Sequence, residues 1–260
     1  MPRTITVASQ KGGVGKTTTV VNLAASLCLA GRRVLVIDFD PQANASSGVG
    51  WDGSGDGGGV RPARLDYLSA VLEGAPLADF VRPTSFANLS LLPSSPEASD
   101  LDIVRDFQDA PPERVRPEIS RVTAGFDFIL VDCPPSLSGL PTIALNFSDE
   151  VIIPIQCEYY AMEGLSQILP IVKRVQKTTN PDLRILGLLL TMFSEDLELS
   201  HDVVEQVRDY FGSLVFESVI PRDVVLAEAA SHGCPVFDYE PTSRGAWAYV
   251  ELAREVLRNG

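Results

Sequence analysis

The sequence predicts an α/β protein in which helices cover both faces of a mostly parallel, twisted β-sheet, giving three layers. Short apolar runs rich in β-branched residues recur along the chain, and most stretches between them have the periodicity of amphipathic helices. Strands that read as nearly continuous apolar runs are buried on both faces, as in a parallel sheet between helices. We predict strands at residues 4–8, 34–38, 89–92, 128–132, 151–155, 185–191 and 214–220.

The clearest helices lie near the two ends of the chain. The first begins near Gly15 and Lys16 and ends at Gly31, a residue suited to the left-handed conformation beyond a last helical turn. The last spans roughly residues 243–257. The predicted buried side of this last helix carries four apolar residues, Trp247, Val250, Leu252 and Val256.

The length of 260 residues fits one large domain or two small ones. A glycine-rich stretch at residues 48–59, where we expect a mobile loop, and a stretch rich in Pro, Ser and Asp at 93–112 interrupt the pattern. Neither stretch is long enough for a domain linker, and no internal repeat is visible. We therefore expect a single domain over residues 1–260.

The composition excludes several classes of function. With 21 basic and 34 acidic residues the net charge is −13, which opposes sequence-independent attraction to nucleic acid or anionic lipid. The four cysteines are far apart, with no CxxC pair, so metal-cluster carriers lack support. No apolar run approaches the roughly 18 residues that a membrane span requires. We expect a cytoplasmic protein with reduced thiols and no membrane contact.

The most informative segment is QKGGVGKTT at residues 10–18, directly after a predicted strand and at the start of a predicted helix. Glycines let backbone N–H groups approach a phosphate, and the helix N-terminus adds partial positive charge. In such a loop Lys16 reaches the β- and γ-phosphates and the Thr17 hydroxyl binds Mg²⁺. The strict pattern G-x-x-x-x-G-K-[ST] requires glycine where Gln10 stands, and a second lysine, Lys11, precedes the glycine pair. A ligand-free turn explains this concentration of glycines, lysines and threonines poorly.

Two other predicted strands end in carboxylates. The run VLVIDFD ends with Asp38 and Asp40, and the run FILVDCPP contains Asp132 at the end of its strand. Ligands of open α/β sheets bind at the carboxyl ends of strands, so these side chains are expected to face the same crevice. An aspartate at such a strand end commonly supports Mg²⁺, often through water.

Together these segments resemble the deviant Walker A family of ATPases, within the ParA/MinD superfamily of P-loop NTPases. The matching segments are KGGVGKTT at 11–18, DFDPQ at 38–42 and DCPP at 132–135. The chain is most similar to the ParA/Soj partitioning branch, which shares stretches like PIQCEYYA at 154–161, EGL at 163–165, SHG at 231–233 and SRGA at 243–246. The likeness runs from about residue 4 to about residue 256 and is weakest between 51 and 125.

The resemblance implies an enzyme that binds ATP with Mg²⁺, dimerises, and hydrolyses ATP to ADP. It implies that Lys11 crosses to the ATP of the partner subunit, that Lys16 binds the β- and γ-phosphates, and that Thr17 ligates Mg²⁺. By the same resemblance Asp132 supports the metal indirectly, and Asp40 positions the attacking water.

Further contacts with ATP follow from the resemblance alone. The phosphate loop adds Gly12, Gly13, Val14, Gly15 and Thr18. The adenine is expected near Met192–Phe193 and near 221–223, which brings in Met192, Pro221, Arg222 and Asp223. Asp38 is either a tentative metal-supporting residue or a structural one.

The resemblance further implies a role in chromosome or plasmid partitioning, with hydrolysis stimulated by a ParB-like partner that presents a basic segment. Members that bind DNA carry arginines in the segments aligned with 194–199 and 223–226, where this chain places Asp196 and Val225. DNA binding, and hence association with the nucleoid, is therefore expected to be weak or to use other cations. The candidates are Lys173, Arg174, Lys177, Arg222 and Arg244.

Other interpretations remain open. An orphan ParA-like ATPase positions cargo other than DNA, and a P-loop biosynthetic enzyme activates a carboxylate but needs a substrate cluster that the sequence does not show. An adaptor that binds ATP without hydrolysing it fits poorly with Lys11 and Asp40. His201 and His232 are expected to be structural. The pair Tyr159 and Tyr160 is expected to pack against the sheet or against a dimer partner.

Overall fold

The computed structural model describes residues 2–51, 76–94, 112–135 and 139–259. Most of the glycine-rich stretch at 48–59, including the expected mobile loop, lies outside these ranges, as does most of the stretch at 93–112.

Within the described residues, eight strands form one sheet in the order β3-β4-β2-β5-β1-β6-β7-β8. All neighbouring strands are parallel except β3 and β4, so the predicted mostly parallel sheet is confirmed. The seven predicted runs all form strands, and a two-residue edge strand is added. The strands are β1 (Arg3–Val7), β2 (Val34–Asp38), β3 (Arg82–Pro83), β4 (Leu89–Leu92), β5 (Phe128–Asp132), β6 (Glu150–Gln156), β7 (Arg184–Phe193) and β8 (Val215–Pro221).

Among the described residues, helices lie between the strands and after the last strand. They are α1 (Lys16–Leu29), α2 (Asn44–Gly48), α3 (Pro112–Thr123), α4 (Leu140–Phe147), α5 (Ala161–Thr178), α6 (Glu198–Phe211), α7 (Val224–Ser231), α8 (Val236–Tyr239) and α9 (Arg244–Arg258). Two short 3₁₀ turns lie at Leu77–Phe80 and Gly212–Leu214. Gly31 has a φ of 79°, as predicted for the residue beyond the end of α1.

The last helix begins and ends within one residue of its predicted bounds, but two of its four predicted core residues are not buried, since Trp247 is exposed and Val250 is half-buried. Trp247 is 58% exposed, and Tyr249 is buried in its place. The buried stripe of α9 is Ala246, Tyr249, Leu252, Ala253 and Val256, with spacings of three and four residues. Trp247 lies outside this stripe, because a 3.6-residue repeat places it about 100° from Ala246.

Alternate residues of each strand face opposite layers of helices. Val34 and Val36 of β2 pack in the core that contains α1 and α9, whereas Leu35 and Ile37 pack in the core that contains α3 and α4. Helices α5 and α6 extend the second layer over β6 and β7. The predicted three-layer arrangement is confirmed.

The topology places three strand ends side by side. Strand β1 pairs with β5 on one side and with β6 on the other, while the chain after β1 continues to β2 beyond β5. Asp38 at the end of β2 is in register with Asp132 at the end of β5. Val7 at the end of β1 is in register with the same Asp132 on the other side of β5. The crevice at such a reversal of strand order is the expected ligand site.

Candidate nucleotide site

The loop between β1 and α1 is shaped by glycines. Gly13 and Gly15 have φ values of 72° and 85°, a region that residues with a side chain rarely adopt. No heavy atom within 4 Å faces the position of a Cβ on Gly12 or Gly13, so this part of the loop is open. No side chain caps the N-terminus of α1, and its first turn carries no acidic residue. Its free N–H groups and partial positive charge suit a phosphate.

Lys16 lies inside this loop with 7% exposure, and its Nζ donates a hydrogen bond to the carbonyl of Lys11 at 3.0 Å. Burial lowers the pKa of Lys16, and the negative charges of Asp132 and Asp40 oppose that shift. A buried ammonium is costly unless an anion pairs with it. The position therefore suits a phosphate of a bound nucleotide.

Thr17 and Asp132 are joined directly, since the Thr17 hydroxyl donates to Asp132 Oδ2 at 2.7 Å. Asp132 is fully buried, and burial raises its pKa well above the ordinary value, with the charge of Asp38 adding to the shift. Its second oxygen, Oδ1, is buried and has no hydrogen-bond partner among the described residues.

A hydroxyl and an unpartnered carboxylate oxygen at the base of a phosphate loop fit Mg²⁺. The Thr17 hydroxyl would ligate the metal, and Asp132 Oδ1 would accept a hydrogen bond from a water bound to it. In the part of the chain that the structure describes, no three His, Cys, Asp or Glu side chains cluster to hold a metal by themselves. Oxygen atoms of a bound nucleotide and of water would complete the coordination.

Asp38 holds the segment that carries Asp40. Asp38 Oδ2 accepts hydrogen bonds from Ser46 N at 2.8 Å and Ser46 Oγ at 2.7 Å, and Oδ1 accepts one from Asp40 N at 3.0 Å. Burial raises the pKa of Asp38 to about 6, although these hydrogen bonds oppose the shift. With both oxygens engaged, the geometry favours the structural alternative for Asp38 over the metal-supporting one.

Asp40 is 6% exposed, and its Oδ1 accepts a hydrogen bond from Gln42 N at 3.0 Å. Burial dominates the pKa values of Lys16 and Asp132, and the charge of Asp40 contributes to both. Asp40 therefore lies within electrostatic reach of the phosphate loop and of the metal position.

The second lysine of the loop, Lys11, contacts a residue outside the loop. Lys11 Nζ lies 3.9 Å from Glu158 Oε2, and its side chain is 35% exposed. Glu158 Oε1 accepts hydrogen bonds from Arg222 Nη2 at 3.0 Å and Gln156 Nε2 at 2.7 Å. Glu158 was not predicted to have a role; its only signal in the sequence is a carboxylate three residues after the predicted strand at 151–155.

The two segments predicted to hold adenine touch each other. Arg222 N donates to the carbonyl of Phe193 at 2.7 Å, and Met192 adopts a φ of 54°. A positive φ at a residue with a side chain is strained, and such strain concentrates at functional sites. Asp223 instead caps α7, since Oδ1 accepts from Val225 N and Oδ2 from Gly245 N. The adenine contacts stay a prediction.

Two supporting residues were not anticipated. The buried Thr191 Oγ1 donates to the carbonyl of Val14 at 3.0 Å and thereby ties β7 to the phosphate loop. Asn22 Nδ2 donates to the carbonyl of Thr18, and Asn22 Oδ1 accepts from Val236 N, both at 2.8 Å. Their only signal in the sequence is a polar residue within an otherwise apolar pattern.

The remaining candidates are the two histidines and the adjacent pair Tyr159 and Tyr160. His201 Nε2 is 2.9 Å from the carbonyl of Glu195, and His232 stacks on Tyr239 with ring centroids 5.1 Å apart, so both histidines have structural contacts. Tyr159 and Tyr160 are 78% and 61% exposed, so the sheet covers little of either ring, although Tyr160 lines a small cavity beside β6 and the phosphate loop.

Of the five cations named as candidates for DNA contact, two are paired with carboxylates and three are exposed on α5. Asp196 is exposed and Val225 is half-buried. Arg222 pairs with Glu158 at 3.0 Å, and Arg244 lies 3.9 Å from Glu195. Lys173, Arg174 and Lys177 are exposed on α5.

A glycine-rich loop between the first strand and first helix, with a buried lysine and a Thr–Asp pair for Mg²⁺, defines a P-loop nucleotide hydrolase.

None of the described helices is both long and apolar enough to span a membrane.

Comparisons with known proteins agree with this class. A family model described as "AAA domain" matches residues 2–185. The chain is 44% identical over 260 residues to the sporulation initiation inhibitor protein Soj of Bacillus subtilis, with all of both chains covered. It is 42% identical to the chromosome partitioning protein ParA of Myxococcus xanthus, covering 98% of this chain and 88% of that one. The chain belongs to the Soj/ParA family of chromosome-partitioning ATPases.

A solved structure with the same fold is cobyrinic acid a,c-diamide synthase of Mycobacterium smegmatis with bound ATP analogue and magnesium. Its TM-score is 0.81 at 31% identity, covering 99% of this chain and 95% of that one. The predictions of the fold, of the family and of an ATP-hydrolysing enzyme are thereby confirmed.

Proposed function

We propose that this chain is an ATP-dependent dimerising switch for chromosome or plasmid partitioning. ATP joins two copies, and hydrolysis stimulated by a ParB-like partner separates them. The observation that carries this proposal is the different placement of the two lysines. Lys16 is buried inside its own loop, whereas the side chain of Lys11 is partly exposed and directed away toward Glu158. A partly exposed ammonium beside a phosphate site is available to the nucleotide of a second molecule.

ATP and Mg²⁺ are the cofactors, as the sequence analysis predicted. In the proposed site Lys16 and the N–H groups of the loop hold the phosphates, and the Thr17 hydroxyl and Asp132 hold the metal and its water. Bound Mg²⁺ offsets the negative charge that develops on the phosphate oxygens. Asp40 orients the attacking water, and Lys11 of the partner subunit adds positive charge where water has been excluded.

The whole chain is proposed to act as one ATPase domain, because strands between Arg3 and Pro221 contribute to a single sheet. Its proposed location is the cytoplasm. Its net charge of −13 favours a partner that presents a basic segment. The same charge disfavours DNA as a strong ligand.

A second candidate, positioning of cargo other than DNA, is favoured by one specific observation. Asp196 is exposed where DNA-binding members carry arginine, and residues 195–205 include five acids and no lysine or arginine. The mechanism of the nucleotide switch is the same for both candidates.

Sedimentation and hydrolysis measurements test the proposed function. Wild-type protein is expected to dimerise with Mg²⁺ and a non-hydrolysable ATP analogue, to remain monomeric with ADP, and to hydrolyse ATP. Lys16→Ala is expected to weaken ATP binding by about 30-fold or more, because it removes a buried cation. Arg33→Ala, at the amino end of β2 and therefore at the opposite end of the strands from the phosphate loop, removes a cation paired with Asp127 and is the matched control.

Identical behaviour of Lys16→Ala and wild type, without dimer or hydrolysis in either, contradicts the proposal. Turnover of ATP that requires a small carboxylic acid indicates the biosynthetic alternative instead.

A further inference from the structure

Thr191, near the carboxyl end of β7, is buried against the phosphate loop. It is 2% exposed, and its hydroxyl lies 3.0 Å from the carbonyl oxygen of Val14 and 3.2 Å from that of Ile155. Its Cγ2 methyl lies 3.9 Å from the position that a Cβ would take on Gly15. One side chain of the sheet therefore contacts two consecutive residues of the loop, although Thr191 and Val14 are 177 positions apart in the sequence.

The backbone around Thr191 is fixed by the sheet. Thr191 is in register with Gln156 of β6, and its carbonyl accepts a hydrogen bond from Cys157 N at 2.9 Å. A β-branched side chain has few rotamers, so a fixed backbone also fixes where the hydroxyl and the methyl lie. Thr191 therefore gives the loop a rigid point of contact on the sheet.

The hydrogen bond on Val14 determines the orientation of a whole peptide unit. The peptide between Val14 and Gly15 is trans, so the Val14 carbonyl and the Gly15 N–H point in opposite directions. With the carbonyl directed at Thr191, the Gly15 N–H points away from β7. Gly15 directly precedes α1, where free N–H groups suit a phosphate.

Nothing in Gly15 itself prevents this peptide from turning over. Gly15 has a φ of 85° and lacks a Cβ, so it tolerates both signs of φ. The direction of its N–H is therefore set by contacts from outside the loop, and the Thr191 hydroxyl supplies one on the carbonyl of the same peptide.

We propose that Thr191 is a positioning residue for ATP hydrolysis, because its hydroxyl holds the Gly15 N–H in the direction that suits a phosphate oxygen. This inference rests on the proposed placement of the phosphates in the loop between β1 and α1. Donors that are already oriented need no reorganisation when charge develops on the phosphate oxygens. Without the hydroxyl, the Val14 carbonyl loses this donor, the peptide is free to turn, and the Gly15 N–H is misplaced in part of the molecules.

The test replaces Thr191 with valine, which keeps the branched shape and removes the hydroxyl. With Mg²⁺, and at a protein concentration that saturates the rate, we expect the rate constant of single-turnover hydrolysis per bound ATP to fall about 10-fold or more. The dissociation constant of a fluorescent ATP analogue is expected to rise less, by about threefold. A loss of stability alone lowers the melting temperature and the fraction of folded protein but leaves the rate per bound ATP unchanged.

Two further variants serve as controls. Thr191→Ser keeps the hydroxyl and is expected to keep most of the wild-type rate. Thr123→Val makes the same change at another buried threonine, 4% exposed, whose hydroxyl donates to the carbonyl of Ser120 at 3.2 Å. Thr123 ends α3 before the amino end of β5, at the opposite end of the strands from the phosphate loop, so this variant is expected to keep the wild-type rate.

A measurement on the wild type alone covers the case in which Thr191→Val does not fold. In protein with isotope-labelled glycine, the amide proton signal of Gly15 is expected to move downfield when Mg²⁺ and ADP bind, because the N–H then donates to a phosphate oxygen. An unchanged Gly15 signal overturns the inference, as does an equal loss of rate in Thr191→Ser.

The wild-type result separates this inference from the proposed function. If the wild type neither binds nor hydrolyses ATP, both fail. If the wild type hydrolyses ATP and Thr191→Val matches its rate per bound ATP, only the positioning role of Thr191 fails.

Discussion

The Thr17 hydroxyl donates a hydrogen bond of 2.7 Å to Asp132 Oδ2 and so joins the first turn of α1 to the end of β5. The other oxygen of Asp132 is buried without a partner among the described residues. Two residues 115 positions apart thus meet at the base of the phosphate loop, where we propose that Mg²⁺ and its water bind.

Thr17→Ala should weaken Mg²⁺-dependent nucleotide binding. The substitution removes the proposed metal ligand and the hydrogen bond to Asp132, so we expect ATP affinity at saturating Mg²⁺ to fall about 10-fold or more. Thr17→Ser keeps the hydroxyl and should retain most of the affinity. Titration of ATP binding against Mg²⁺ measures the effect, and an unchanged dependence on Mg²⁺ in Thr17→Ala would show that this hydroxyl does not hold the metal.

Lys11→Ala should separate ATP binding from dimerisation. Lys11 lies toward Glu158 rather than inside its own loop, so ATP affinity of the monomer should stay near the wild-type value. The dimer should be lost, because each nucleotide lacks the cation from the opposite subunit. Sedimentation with an ATP analogue measures this directly. A dimer of normal affinity would refute the crossing role.

Asp40→Ala should trap the ATP-bound dimer. Loss of the carboxylate that orients water should slow hydrolysis by about 100-fold or more, within the range of general-base contributions. The backbone N–H of residue 40 still reaches Asp38, so the surrounding segment should stay in place. Single-turnover hydrolysis and sedimentation with ATP provide the two measurements, and unchanged turnover contradicts the assignment.

DNA retention by the wild type should be weak and strongly salt-dependent, with little binding at about 0.2 M salt. Asp196→Arg should strengthen DNA binding. It should also make the slope of log binding constant against log salt concentration more negative, by about 0.9 for each added phosphate contact. Asp182→Arg makes the same change of charge on the exposed turn before β7 and serves as the control. Gel-shift titrations with and without ATP measure both. Tight wild-type binding at that salt concentration would show that the acidic surface does not exclude DNA.

Thiol alkylation should leave ATP hydrolysis unaffected. Burial raises the pKa of Cys28 and of Cys157 to about 12 and also raises the pKa of Cys133, so at about pH 8 their reactive thiolates are scarce. Cys234 is half-buried and should react first. Mass spectrometry after timed alkylation should show one modified thiol in the native protein and four after unfolding. Rapid loss of activity on modification of Cys133 would reveal a role beyond packing.

Much of the fold was predictable because its signals are local. The apolar runs place every predicted strand, since burial on both faces leaves a continuous pattern that needs no knowledge of neighbours. The phosphate loop was equally visible, because Gly13, Gly15, Lys16 and Thr17 act together within one turn of chain. Local periodicity was less exact in α9, where the buried stripe contains Tyr249 and leaves Trp247 exposed.

The sequence by itself determined the layers of the fold, the phosphate loop and the family. Only the tertiary structure decided that Asp38 accepts hydrogen bonds from Ser46 and the Asp40 backbone and that Glu158 pairs with Lys11 and Arg222. It also decided that one oxygen of Asp132 has no partner within the part of the chain that the structure describes. These outcomes depend on which strand ends lie side by side and in which register. The sequence around a carboxylate does not show which distant groups will donate hydrogen bonds to it, because packing between segments far apart along the chain determines those donors.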